Sequence, residues 1–265
     1  MSTHAAPIGV FDSGLGGLSV LRHIRALLPG EHLLYCADSG HAPYGEKTPE
    51  FIRARSQALT EFLIDRGARA IVIACNTATA QAATYLRERY GLPIVAMEPA
   101  VKPAVAATRC GIVGVLATTG TLQSARFAAL LDNHAGEVEV LTEACRGWVD
   151  CVERGELEGP AVRAMVARHV EPLLAAGADV LVLGCTHYPF LRPHIEALAG
   201  PRVAVIDTGL AVARQLVRRL AEAGGAAEPG TPGQETFWSS GAPDAARRAL
   251  AALWHAGAEP QRLSV

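Results

Sequence analysis

The chain has 265 residues, half of them hydrophobic and 19% charged, with a formal net charge of −2. That composition excludes a disordered chain, and so small a charge gives no reason to expect a nucleic-acid partner. No apolar run approaches the ~18 residues needed to span a membrane, so no membrane association is expected. In chain order, short β-branched or aliphatic runs predict strands at 8–11, 32–36, 70–74, 94–96, 111–116, 138–141, 180–183 and 203–206. Amphipathic stretches rich in Ala, Arg and Leu predict helices at 18–28, 49–66, 78–90, 100–107, 122–132, 160–176, 191–199 and 210–223. Residues 222–233, rich in Ala, Gly and Pro, read as a loop. A strand at 235–238 and a last helix at 243–254 follow. Strands separated by helices imply βαβ units and mainly parallel sheets, and the continuous apolar strands fit sheets covered on both faces.

The length sits between one large domain and two small ones, and a weak internal repeat favours two. Ile8-Gly9-Val10-Phe11-Asp12-Ser13-Gly14 resembles Val113-Gly114-Val115-Leu116-Ala117-Thr118-Thr119. Further on, Ile71-Val72-Ile73-Ala74-Cys75-Asn76-Thr77 resembles Leu181-Val182-Leu183-Gly184-Cys185-Thr186-His187. Asp12 and Cys75 are about as far apart as Thr118 and Cys185. Each half would place a cysteine loop at the carboxyl edge of its sheet, where open α/β sheets bind ligands.

Phe11-Asp12-Ser13-Gly14-Leu15-Gly16-Gly17 joins a strand to a helix, yet it lacks the third glycine of a dinucleotide site and the lysine of a P-loop. It reads either as a turn presenting a carboxylate and a hydroxyl beside a helix N-terminus, or as a plain helix cap. The loop Ala37-Asp38-Ser39-Gly40-His41-Ala42-Pro43-Tyr44-Gly45 is a polar turn in which Tyr44 and the Gly45 amide offer contacts to a small anion.

The six cysteines contain no Cys-x-x-Cys pair, which argues against a zinc ribbon. Cys75 and Cys185 each end a buried strand and precede hydrogen-bonding residues and a helix, whose N-terminal field favours a thiolate. Cys36 and Cys110, in or beside apolar strands, and Cys145 and Cys151, in a helical stretch, are expected to pack as small apolar residues. Cys75, Cys185 and His187 offer three metal ligands without a fourth, so no metal is expected. A one-cysteine triad with His187 as base leaves the second thiol unexplained. Two thiols facing one carbon suit a two-base proton transfer, one removing a Cα proton and the other returning a proton to the opposite face. Asn76, Thr77 and Thr186 are candidate donors to a substrate carboxylate, and Asp12, Glu153 and His187 candidate acid/base helpers. Only Lys47 and Lys102 are lysines, and neither has a clear cofactor setting, so no pyridoxal phosphate is expected.

These motifs, with Glu98-Pro99-Ala100-Val101-Lys102-Pro103-Ala104, Leu116-Ala117-Thr118, Gly184-Cys185-Thr186-His187-Tyr188-Pro189 and Ile206-Asp207, resemble the glutamate racemases of the cofactor-independent aspartate/glutamate racemase superfamily. The resemblance covers most of the chain. It implies two pseudo-symmetric α/β lobes with mainly parallel sheets and an active site in the cleft between them. The first lobe would hold residues 1–98 and 207–265, the second 99–206. The resemblance makes Cys75 and Cys185 the catalytic acid/bases, serving the D- and L-isomers respectively. Asp12, Ser13, Pro43, Tyr44, Gly45, Asn76, Thr77, Thr118, Thr186 and His187 would bind substrate, with Asp12 and Glu153 assisting one cysteine and His187 the other. It implies D-glutamate supply for peptidoglycan and glutamate as the small-molecule partner, and leaves a homodimer open. One departure stands out: Arg146 follows Cys145 where the family often has proline. The stretch 1–7 lacks the basic and apolar regions of a secretion signal, so a cytoplasmic protein with reduced cysteines is expected. The rivals are an aspartate or other amino-acid racemase of the same superfamily and a non-catalytic amino-acid-binding protein.

Overall fold

The computed structural model describes residues 6–225 and 232–265. Residues 1–5 of the N-terminal stretch and 226–231 of the Ala/Gly/Pro-rich loop lie outside the described residues. The strands are β1 (Ile8–Asp12), β2 (Leu33–Ala37), β3 (Ala70–Ile73), β4 (Ile94–Ala96), β5 (Ile112–Ala117), β6 (Glu139–Ala144), β7 (Val180–Leu183), β8 (Ala204–Ile206), β9 (Glu235–Ser239) and β10 (Pro260–Arg262). The helices are α1 (Leu18–Leu27), α2 (Pro49–Ile64), α3 (Asn76–Arg89), α4 (Val101–Ala107), α5 (Thr119–Leu122), α6 (Ala125–His134), α7 (Trp148–Glu153), α8 (Pro160–Ala175), α9 (Arg192–Ala199), α10 (Gly209–Glu222) and α11 (Pro243–Leu253).

The strands form two sheets, ordered β10-β9-β2-β1-β3-β4 and β6-β5-β7-β8, and every pairing is parallel. The four-strand order β2-β1-β3-β4 is the same as β6-β5-β7-β8, so the sequence repeat is a repeat of topology. In each unit the chain leaves the first strand toward one edge and then returns to pair on its other side. The crevice made by that reversal lies at the carboxyl ends of β1 and β3, and of β5 and β7.

Side chains alternate between faces as a strand requires. Val180 and Val182 join an apolar cluster with Val113 and Val115, while Leu181 and Leu183 turn the other way. The largest cluster is continuous from Val10 and Val72, through Leu21 of α1 and Leu216 of α10, to Leu181 and Leu183. One apolar core therefore joins the two sheets. Gly9 and Gly114 mark equivalent close approaches of a helix to a central strand. A Cβ on Gly9 would meet Leu63 at 3.1 Å, and one on Gly114 would meet Leu173 at 2.9 Å and Leu181 at 2.8 Å.

The structure corrects several sequence readings. The stretch 122–132 is not one helix, because Thr118 caps α5 and Ser124 caps α6. Cys145 is not helical but follows the end of β6, while Cys151 lies in the short α7. Cys110 is exposed rather than packed, its thiol donating to the Gly177 carbonyl at 3.3 Å. No strand was expected at β10, since Pro260-Gln261-Arg262 has no apolar alternation and pairs with β9 through its backbone. Among the described residues, no helix is long and apolar enough to cross a membrane.

Gly114→Val should overpack this approach and lower the unfolding free energy by about 1–3 kcal/mol, read from urea titrations.

Candidate active site

The site is built on strand ends. Asp12 closes β1, and its register partner Ala37 closes β2 and leads into the polar loop. Cys75 follows β3 and caps α3, its sulfur accepting the Ala78 N–H at 3.4 Å. Thr118 follows β5 and caps α5, and Cys185 stands two residues beyond β7. The helix begins at Asn76, two residues before the expected start, because the thiol itself is the cap.

Asp12 is fully buried. One oxygen accepts the Ser13 N–H at 2.7 Å. The other accepts the Gly17 N–H at 2.7 Å and, from the second sheet, the Thr186 hydroxyl at 3.3 Å. Burial pushes its pKa up, and the nearby His187 charge and the Gly17 N–H offset only part of that. The Cys75 thiol donates to Ser13 Oγ at 3.7 Å. Burial, reinforced by the Asp12 charge, drives the Cys75 pKa far above that of a free thiol, so this cysteine is held protonated.

Cys185 has a different neighbour. Its sulfur lies 3.6 Å from His187 Nδ1, and His187 Nε2 lies 2.7 Å from Glu153 Oε1. Burial opposes the imidazolium, but the hydrogen bonds to Cys185 and Glu153 and the charges on Cys185 and Asp12 outweigh it and raise the His187 pKa well above normal. Glu153, on α7, also accepts the Leu15 N–H at 2.5 Å and the Ser39 hydroxyl at 2.7 Å, so it stands with His187 on the Cys185 side rather than sharing one cysteine with Asp12 as the sequence suggested.

The remaining predicted contacts fall into two groups. Asn76 is buried, and neither atom of its amide has a partner among the described residues. Thr77 reaches across to Thr118 at 2.9 Å and Thr121 at 3.2 Å. Pro43, Gly45 and Thr118 line a small cavity of about 30 Å³ with Cys145 and Arg146, whereas Tyr44 is buried behind its own turn. Asp12, Cys75, Cys185 and His187 do not line that cavity. The two thiols are only 5% and 7% exposed.

Three contributors escaped the sequence reading. Tyr35, an apparent strand hydrophobe, donates to the Gly14 carbonyl at 2.8 Å. The Ser19 hydroxyl donates to the Thr186 carbonyl at 2.8 Å, and Ser39 holds Glu153. Each partner is far away in sequence, and only the polar character of the 37–45 loop hinted at one of them. Among the described residues, no group of three or more His, Cys, Asp or Glu side chains is placed to hold a metal ion.

Two α/β units of one topology, each with a thiol after its third strand, define a class of enzymes that work on a small molecule between two sheet edges. Residues 8–216 match the Asp/Glu/hydantoin racemase family, and the chain belongs to that family of isomerases. It is 56% identical to a glutamate racemase of Pseudomonas putida over 266 aligned positions, covering all of both chains. It is 62% identical to one from Ectopseudomonas mendocina over 243 positions, covering 91% of this chain and 92% of that one. The crystal structure of Escherichia coli glutamate racemase with L-glutamate and the activator UDP-MurNAc-Ala superposes with a TM-score of 0.86 at 32% identity, covering 97% and 98% of the two chains.

Two outcomes follow from the geometry. A methyl on Gly16 would lie 2.2 Å from His187 Nδ1, so Gly16→Ala should displace the imidazole and cut racemase turnover by about 10²-fold without unfolding the chain, as turnover and circular dichroism would show. Because the His187 pKa is raised on folding, its contribution to stability is fully present below about pH 6.5 and is lost as pH rises through the folded-state value above it. The stability gap between wild type and His187→Asn should therefore be larger at about pH 6 than at about pH 9 in denaturant titrations.

Proposed function

We propose that this protein is a cofactor-independent glutamate racemase, interconverting L- and D-glutamate through proton transfer between Cα and the two thiols Cys75 and Cys185. The observation that carries this reading is the opposite setting of two topologically equivalent cysteines. Cys75 sits protonated beside Asp12, and Cys185 sits against the imidazole of His187, whose far side is paired with Glu153. In that state Cys185 takes the Cα proton of L-glutamate and Cys75 delivers its proton to the opposite face, leaving D-glutamate. The reverse turnover starts with the protonation states exchanged. Asp12, whose pKa is raised, then receives the Cys75 proton, and His187 holds a proton ready for Cys185. Glu153 keeps the imidazole ring oriented.

The unsatisfied amide of Asn76 is free to bond the α-carboxylate and ammonium groups. Ser13, Thr77, Thr118, Thr186 and the Pro43-Tyr44-Gly45 turn complete the binding surface. The lobes are residues 1–98 with 207–265 and residues 99–206, a division supported by strand membership in the two sheets. The protein acts in the cytoplasm on free glutamate and supplies D-glutamate for peptidoglycan.

The test is incubation with L- or D-glutamate in deuterated water, following optical rotation and loss of the Cα–H signal, with aspartate and alanine alongside. Cys75→Ala and Cys185→Ala should each lower racemisation by at least roughly 10²–10⁴-fold. Near wild-type activity in either variant overturns the two-base assignment, and faster turnover of aspartate overturns the substrate.

A further inference from the structure

Asp38 follows β2 and is completely buried, yet it takes no part in the proton transfers described above. Its two oxygens accept a two-pronged contact from Arg55 of α2, Nε at 2.9 Å and a terminal nitrogen at 2.8 Å. They also accept the Tyr44 hydroxyl at 2.6 Å and the Ser240 hydroxyl at 2.7 Å, and they meet His41 Nδ1 at 2.9 Å. Burial alone would raise the pKa of this carboxyl, but the hydrogen bonds from Arg55, Tyr44, Ser240 and His41 hold it below the usual range. The third arm of Arg55 donates to the carbonyl of the last residue, Val265, at 2.8 Å.

A fully buried carboxylate needs a counter-charge and filled lone pairs. Arg55 supplies the charge, and the hydroxyl of Tyr44 fills a site that no backbone group reaches. The Tyr44 ring is wedged edge-on to Phe51 of α2, with centroids 6.5 Å apart. The turn around Tyr44 runs on through Gly45, where a Cβ would lie 2.9 Å from Thr118, just beyond β5 of the other sheet. The position of this turn against the second sheet is therefore set from below, by an ion pair outside the cleft.

We propose that Arg55 is a positioning residue: through Asp38 it fixes Tyr44, and with it the Pro43-Tyr44-Gly45 turn against which glutamate rests. The inference rests on the reading of the site given above. A binding turn that loses its support weakens ground state and transition state alike, so the loss falls on KM and spares kcat. Removing one member of a buried pair strands the other, whereas neutralising both removes the stranded charge.

The experiment compares steady-state racemisation of glutamate by wild type, Arg55→Gln, Asp38→Asn/Arg55→Gln and Tyr44→Phe, with a thermal midpoint for each. Arg55→Gln should raise KM about tenfold with kcat within about threefold, and the double variant should recover most of that loss. Tyr44→Phe, which keeps the ion pair and removes one hydroxyl, should raise KM severalfold with a smaller fall in thermal midpoint than Arg55→Gln, and it decides the matter if Arg55→Gln fails to fold. An unshifted KM in Arg55→Gln, a double variant no better than the single one, or a loss confined to kcat and thermal midpoint overturns the positioning role. Absence of turnover in the wild type counts instead against the proposed function.

Discussion

The carboxylate of Glu153 is the contact on which the arrangement turns. It stands on α7, beside the second sheet, and accepts from Leu15 and Ser39 on the first sheet's side and from His187 on its own. One short side chain thereby spans the cleft and sets the tilt of the imidazole that faces Cys185. The Asp12–Thr186 and Thr77–Thr118 contacts cross the same gap, so the cleft is sewn by polar groups at its floor and by the continuous apolar cluster beneath. Polar stitching opens more readily than an apolar core, because water can replace each hydrogen bond.

Symmetry of backbone coexists with asymmetry of charge. β1-β3 and β5-β7 deliver thiols to equivalent places, but β1 ends in the carboxylate of Asp12 and β5 in the apolar Ala117. The histidine has no counterpart after Cys75, where Thr77 occupies the matching position. Two chemically identical groups are thus placed in different proton reservoirs, which is what a reaction with mirror-image ends requires of a chiral scaffold.

Much of this is legible in the sequence, and the limits have physical causes. Apolar runs such as 70–73 and 180–183 reveal strands because both faces are buried, and a cysteine at their ends is visible by position alone. What surrounds those cysteines is carried by long-range hydrogen bonds, many to backbone groups, and no local pattern encodes them. Tyr35 reads as another strand hydrophobe until its hydroxyl is seen to reach Gly14. Ser124 sits inside an otherwise helical pattern, and only its capping bond to Phe127 shows that the helix restarts there. The misreading of Cys145 has the same origin, since β6 is half-exposed and its composition overlaps with that of a surface helix.

The strand order of the first sheet bears on how the protein is made. β2 pairs with β9, so one side of β2 is satisfied only by a segment more than 190 residues later. While a ribosome is still extending the chain, the second sheet can close on residues already present, but the first keeps a bare apolar edge at Leu33–Ala37. The nascent protein carries that edge unpaired until residues 235–239 have been made. Until that pairing forms, the unpaired backbone of β2 is open to mispairing with another chain, so the closing step of the first sheet depends on a contact of very long sequence separation.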